Sequence, residues 1–200
     1  MRIYFLVVIC FLFCGCVSQE NISNDFTYNI KKSVVRVQSQ KGNRFSMGTG
    51  VIVFYKGKLL LLTANHVVYD KSLVTLWTPE RKEIKYKEDY IQRIEDADVF
   101  VMVLEKIDKQ VIPAMISWEG SLGESVEALG FPNDGSLVRI KGVIKKCQVE
   151  TSIPMDHGMS GGPLVSEGKV IGINSSIIIQ EGKKGGGHIF LKDIIPFLPK

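Results

Sequence analysis

Hydrophobic and polar positions along the 200-residue chain recur in short runs, not with a helical period. Ser33–Ser39 alternates in part and is rich in valine, which predicts a strand. Thr49–Tyr55 and Leu59–Ala64, separated by Lys56-Gly57-Lys58, predict a hairpin. Leu73–Trp77 and Lys82–Tyr86 predict a further pair, and Asp98–Leu104 a buried strand. Beyond a connector holding Pro113 the same style returns, in Ser125–Gly130, Leu137–Val149, Pro163–Val165, Lys169–Ile173, Ile177–Ile179 and His188–Leu191. Asp193–Leu198 reads as a short amphipathic helix interrupted by Pro196. No longer stretch has a clean 3.6-residue period, so an alternating strand–helix architecture is excluded. Short strands with Gly, Asn and Asp turns predict an all-β sandwich or barrels, in two units that divide near residues 105–120.

The N-terminal pattern is different. Arg2 precedes an unbroken apolar run, Ile3–Cys14, too short to span a bilayer comfortably but suited to the core of a signal peptide. Polarity returns abruptly after Cys16. Gly15-Cys16 resembles a bacterial lipoprotein processing site, in which Cys16 carries the lipid and becomes the first mature residue. Phe13 and Cys14 depart from the usual Leu and small residue of such sites, so cleavage of a plain secretory peptide and an uncleaved anchor stay open as alternatives. The expected organisation is a signal peptide over 1–15, a tether over 16–29, and one folded domain over 30–198, with its first unit at about 30–108 and its second at about 118–191.

Composition adds exclusions. Apolar residues make 45 % and charged residues 23 % of the chain, an ordinary globular balance that argues against disorder. Basic residues number 25 against 21 acidic, are scattered, and form no nucleic-acid-binding module. Three of the four cysteines (Cys10, Cys14, Cys16) fall in the leader and only Cys147 in the body, so the domain relies on a packed core instead of disulfides. Cys147 is expected to be a small buried hydrophobe, because no His/Cys cluster has a metal spacing. No cofactor is implied.

Three segments carry candidate chemistry. In Leu62–Val68 an apolar strand runs directly into His66; Asp98 opens a buried strand; and in Asp156–Leu164 a serine, Ser160, sits among glycines in a tight turn. A serine hydroxyl is a poor nucleophile unless a base takes its proton. His66 suits that base, and Asp98 suits the group that fixes its tautomer. The backbone N–H groups of Gly158 and Ser160 suit an oxyanion hole. Asp96 is the rival to Asp98. His157 is expected in a loop and His188 in a strand.

Together these segments resemble the chymotrypsin-like serine peptidases, and among them the bacterial trypsin-like and HtrA-type protease domains. Thr63-Ala64-x-His66-Val67 resembles the histidine motif, Asp98-Val99-x-Val101 the aspartate motif, and Gly158-x-Ser160-Gly161-Gly162-Pro163 the serine motif. The chain order His, Asp, Ser is also the family's. Gly48-Thr49-Gly50-Val51, Gly130-Phe131-Pro132 and Gly168–Ser175 add supporting matches, so the resemblance covers residues 30 to 198. It implies two six-stranded antiparallel β-barrels packed around a central cleft, a short C-terminal helix, and a triad of His66, Asp98 and Ser160 with Gly158 and Ser160 as oxyanion hole. It implies a substrate pocket whose candidates are Pro154, Ser175, Ser176 and Gly187, with the strand after Gly185 as one wall.

The departures matter too. Met159 stands where digestive members have Asp and HtrA-type members Asn, so an Asp-dependent zymogen switch is not expected. Pro154, at the base of the pocket, argues against a strict Arg or Lys preference. A regulatory peptide-binding module beyond Lys200, typical of HtrA proteins, is not expected. The expected activity is that of a serine endopeptidase acting on polypeptide, exported to the bacterial cell envelope and held at the membrane through Cys16. The alternative is an inactive scaffold or adhesion lipoprotein on the same fold. The oligomeric state is not readable from the sequence.

Overall fold

A computed structural model describes residues 30–68, 73–146, 150–180 and 183–199. The leader, Cys16, the tether and Cys147 lie outside the described residues. Among the described residues twelve strands form two sheets, both built from antiparallel ladders. The first contains β1 (Val34–Lys41), β2 (Arg44–Tyr55), β3 (Lys58–Ala64), β4 (Leu73–Trp77), β5 (Tyr86–Ile94) and β6 (Val99–Ile107), in the order β4-β1-β2-β3-β6-β5. The second contains β7 (Ser125–Gly130), β8 (Val138–Lys146), β9 (Glu150–Thr151), β10 (Pro163–Ser166), β11 (Lys169–Gln180) and β12 (Lys183–Phe190), closed into a barrel. A helical turn, α1 (Leu191–Ile194), and a 3-10 turn, Ile195–Phe197, end the chain.

The two-barrel expectation therefore needs one correction. The first sheet is open, because its edge strands β4 and β5 do not form a ladder with each other. The segment Lys82–Tyr86, expected to pair as a strand with β4, contributes only an isolated bridge between Trp77 and Glu83. Strand β5 begins at Tyr86, in a stretch without apolar alternation. It is a charged edge strand, largely exposed, and its backbone ladder with β6 defines it. The two runs expected at Lys169–Ile173 and Ile177–Ile179 are a single strand, β11, with an irregularity between Asn174 and Ser176.

Alternation along the central strands sorts the core. Ile52, Leu61, Phe100 and Met102 point into the curl of the first sheet. Their neighbours Val51, Val53, Leu60, Leu62, Val99 and Val101 face the opposite way, onto Leu129, Val165, Ile173 and the C-terminal residues Leu191 and Ile194. Strands β3 and β6 read as continuous apolar runs because both of their faces are buried. The barrel interior is filled by Val126, Ile144, Ile153, Leu164, Phe190 and Met159. The turn between β2 and β3 has positive φ at both Lys56 (46°) and Gly57 (81°), the twist that a two-residue hairpin needs.

Candidate active site

Strand β3 ends in a 3-10 turn, Asn65–Val67, whose Val67 is buried, and this holds His66 at the surface. Asp98 reaches it from a second 3-10 turn, Glu95–Ala97, that precedes β6. Asp98 has φ 53° and ψ 40°, a left-handed conformation that Asp tolerates better than most residues. That conformation turns the chain back onto the His66 turn. The Asn65 N–H donates to the Asp98 carbonyl (2.9 Å), the His66 N–H to Asp98 Oδ1 (3.0 Å), and His66 Nδ1 lies 2.8 Å from Asp98 Oδ2. A carboxylate only accepts, so Nδ1 carries the proton and Nε2 keeps its lone pair. Asp96 stays exposed on the turn, and Asp98 is the carboxylate brought to His66.

The two groups shift each other. The hydrogen bond to Asp98 holds the His66 imidazole above its ordinary 6.5; burial opposes this and the Asp98 charge adds to it. Burial pushes the Asp98 carboxyl up, but hydrogen bonds from the His66 ring, the Ser175 hydroxyl and the His66 backbone outweigh it, and the net direction is down.

Ser175 owes its position to an interrupted ladder. Asn174 faces His188 and Ser176 faces Gly187, which leaves Ser175 as the extra residue of β11. A bulge re-aims side chains. Here the Ser175 hydroxyl donates to Asp98 Oδ2 at 2.9 Å, while its carbonyl accepts from Ser160 Oγ at 3.3 Å. The Ser160 hydroxyl is thus turned toward Ser175, with no hydrogen bond to His66.

The turn that carries Ser160 is held from both sheets. Gly158 has φ +90°, and a side chain there would collide with the Phe131 carbonyl. The His157 carbonyl accepts from the Asn133 N–H (2.7 Å) and the Gly158 carbonyl from Thr49 Oγ1 (2.7 Å). Thr49 also accepts the Phe131 N–H (3.0 Å), and its own N–H donates to the Ser160 carbonyl (2.9 Å). With both flanking carbonyls engaged, the N–H groups of Gly158 and Ser160 are left without an acceptor among the described residues. Met159 anchors the turn from inside, its side chain buried in the barrel core.

A buried polar chain lies behind it. Asn174 Nδ2 donates to the carbonyls of Met159 (3.2 Å) and Leu129 (3.0 Å), and Asn174 Oδ1 faces His188 Nδ1 at 3.1 Å. His188 Nε2 meets Thr151 Oγ1 at 2.8 Å. Burial lowers the His188 imidazole to about 4, so it is neutral near pH 7. Sequence reading placed His188 in a strand but saw nothing of this network, since its members are scattered over three strands. Thr49 lies within the Gly48-Thr49-Gly50-Val51 motif, yet no sequence signal aims its hydroxyl at Gly158.

Among the pocket candidates, Ser176 and Gly187 face each other across β11 and β12. Pro154 is exposed on the segment before the Ser160 turn. Ser175 turns its hydroxyl to Asp98. Among the described residues no His/Cys/Asp/Glu cluster suits a metal ion, and no helix is long and apolar enough to cross a membrane. A cavity of about 430 Å³, lined by Lys31, Lys32, Pro79 and Gln110, touches none of the residues above.

Residues 48–173 match the family described as trypsin-like peptidase domain. Two curated relatives, each a probable periplasmic serine endoprotease DegP-like, come from Pseudomonas fluorescens and Hahella chejuensis. The first is 27 % identical over 168 residues, covering 76 % of this chain and 34 % of the relative. The second is 32 % identical over 149 residues, covering 68 % and 31 %. The chain thus spans about a third of the length of these relatives. The fold matches the active form of the Rv3671c protease from M. tuberculosis with a TM-score of 0.73, at 18 % identity, over 89 % of this chain and 84 % of that one. It matches a serine endoprotease from Yersinia pestis with a TM-score of 0.67, at 22 % identity, over 84 % and 61 %.

Proposed function

The chain belongs to the trypsin-like peptidase domain family, and from that membership we propose that it is a serine endopeptidase acting through an acyl-enzyme, with His66, Asp98 and Ser160 as its triad. The observation that carries this reading is the hold of Asp98 on His66: one carboxylate oxygen takes the backbone N–H and the other the ring, so Nε2 is presented as a base. Nε2 takes the Ser160 proton as Oγ bonds to the substrate carbonyl carbon. The carbonyl oxygen gains the electron pair and is met by the N–H groups of Gly158 and Ser160. The carbon–nitrogen bond then breaks, and the departing amine takes the proton from Nε2. Water gives a proton to Nε2, attacks the ester and releases the acid, while Ser160 recovers its hydrogen. For the first transfer the Ser160 hydroxyl must leave the Ser175 carbonyl and turn to His66, an adjustment common between free and substrate-bound sites.

The apolar run of residues 3–14 and the periplasmic naming of the relatives support export to the cell envelope. In this reading residues 1–15 are a signal peptide, 16–29 a tether that ends in a lipidated Cys16, and 30–198 the peptidase domain. No observation favours the alternative of an inactive binding or scaffold lipoprotein, and the clamped imidazole and the N–H pair support the peptidase reading.

The test is covalent labelling with a fluorophosphonate and digestion of a peptide library. Ser160 is expected to be the labelled residue, and Ser160→Ala to abolish both label and cleavage. Cleavage that persists in Ser160→Ala, or a folded wild type that takes no label, overturns the reading. Intact mass of the mature N-terminus tests Cys16: a first residue other than diacylglyceryl-Cys16 refutes the lipid anchor.

A further inference from the structure

A second cavity, of about 250 Å³, has Gly48 in its wall, and through Gly48 it adjoins the backbone of the Ser160 turn. Its wall at Gly48 belongs to the catalytic machinery. A Cβ on Gly48 would lie 3.0 Å from the Ser160 carbonyl oxygen and against Val67, the residue after His66. Met47 and Trp77 line it too, together with a charged group of Arg36, Arg81 and Asp134. Asp134 comes from the same turn as Asn133, whose N–H holds the His157 carbonyl.

The charged group carries more cation than its carboxylate neutralises. Arg36 Nη1 donates to Asp134 Oδ1 (2.6 Å) and its Nη2 to the Gly135 carbonyl (2.5 Å). The Arg36 side chain is only 9 % exposed, its guanidinium lies 4.1 Å from the centre of the Phe131 ring, and its Nε has no partner. Arg81 Nη2 donates to the Asp134 carbonyl (2.7 Å) and lies 3.2 Å from Oδ2. Arg81 is 61 % exposed, and its Nε and Nη1 have no acceptor among the described residues. Two guanidinium groups share one carboxylate, and the outer one faces open space with free donors. Guanidinium donors pair strongly and directionally with carboxylate.

We propose that this cavity is a substrate subsite that binds a carboxylate on the leaving side of the scissile bond, with Arg81 as the contact and Arg36–Asp134 as its fixed base. The inference rests on the peptidase reading above, which supplies the direction. Nε2 of His66 protonates the leaving amine, and Val67, the next residue, packs on Gly48, so the segment beyond that amine is directed toward the wall that Gly48 and Met47 form. The carboxylate belongs either to an Asp or Glu side chain or to the substrate's own C-terminus.

The experiment is digestion of a degenerate peptide library by wild type and by Arg81→Gln, with cleavage products sequenced by mass spectrometry. Wild type is expected to enrich Asp and Glu over Asn and Gln, roughly fivefold, at one of the first few positions after the cut, and Arg81→Gln to reduce that ratio to near one. The readout is a ratio within one digest, so partial unfolding of the variant does not imitate the effect. A parallel library with amidated C-termini separates the two sources: enrichment that survives amidation assigns a side chain, and preference for cuts near a free C-terminus that amidation removes assigns the terminal carboxylate. Cleavage with no acidic or terminal preference, or a preference unchanged in Arg81→Gln, overturns this inference and leaves the peptidase reading intact. A library left uncut by a folded wild type overturns the peptidase reading itself, and this inference with it.

Discussion

The Ser175 hydroxyl and the His66 ring share one oxygen of Asp98: Oδ2 lies 2.9 Å from Ser175 Oγ and 2.8 Å from His66 Nδ1. The second barrel thereby fixes a carboxylate that belongs to the first sheet. A hydrogen bond to a charged acceptor is worth about 1.5–3 kcal/mol, enough to decide how the carboxylate is oriented.

Ser175→Ala removes that donor. The carboxylate becomes a stronger base and holds the His66 proton more tightly. The acid limb of the pH profile of kcat/KM is expected to move upward, and kcat to fall by about tenfold from the looser carboxylate. An unmoved acid limb together with an unchanged kcat would show that Ser175 is not coupled to the base.

The His66 shift has its own consequence for pH. Because the folded imidazole is raised above 6.5, catalysis that needs neutral His66 rises on the alkaline side of the ordinary histidine range. The stabilising contribution of the charged pair runs the other way: it is fully present below the unfolded imidazole value and is lost as pH rises through the folded one. Asp98 is depressed, so its contribution is present above its unfolded value of 3.8 and disappears as pH falls through the folded value. Asp98→Asn is expected to abolish the raised imidazole value in an NMR titration of His66 and to cost several orders of magnitude in kcat.

His188 predicts acid sensitivity. Its folded value, about 4, lies below its ordinary 6.5, so the unfolded chain binds the proton first as pH falls. Stability is expected to decline between those two values, by roughly 3 kcal/mol in all. Denaturant unfolding of wild type and His188→Gln at pH 7 and pH 4.5 checks it: the loss on acidification should be smaller in the variant.

Thr49→Val tests the tie across the two sheets. The Gly158 carbonyl and the Phe131 N–H lose their partner, at a cost of about 1–3 kcal/mol in stability. The Ser160 turn then keeps only the Asn133 tie on the His157 carbonyl to hold the Gly158 peptide, and the donor pair is less rigidly placed. The rate at which a fluorophosphonate phosphonylates Ser160 is expected to drop more than tenfold, with KM for a peptide substrate little changed, and Thr49→Ser to restore most of it. A rate that follows only the folded fraction would reduce Thr49 to a structural residue.

Much of the molecule is legible from the chain alone. Apolar runs such as Leu59–Ala64 and Val99–Leu104 announce strands buried on both faces, and Lys56-Gly57 announces a tight turn. His66, Asp98 and Ser160 stand out because each interrupts a local pattern: a histidine at the end of an apolar strand, an acid at the mouth of another, a serine among glycines. Strand β5 escaped because an edge strand stays wet on its outer side and needs no apolar alternation.

What the sequence by itself determined is the all-β class, the order of the elements and the residue types at the candidate site, since these depend on local pattern and intrinsic chemistry. Tertiary structure alone decided that the first sheet stays open while the second closes. It decided too which partners meet: Ser175 with Asp98, 77 residues apart; Thr49 with Gly158, 109 apart; Arg36 with Asp134, 98 apart. The reason is physical. A hydrogen bond depends on distance and direction at the ångström scale, and for residues so far apart along the chain those are set by a bulge, a left-handed turn and the packing of two sheets.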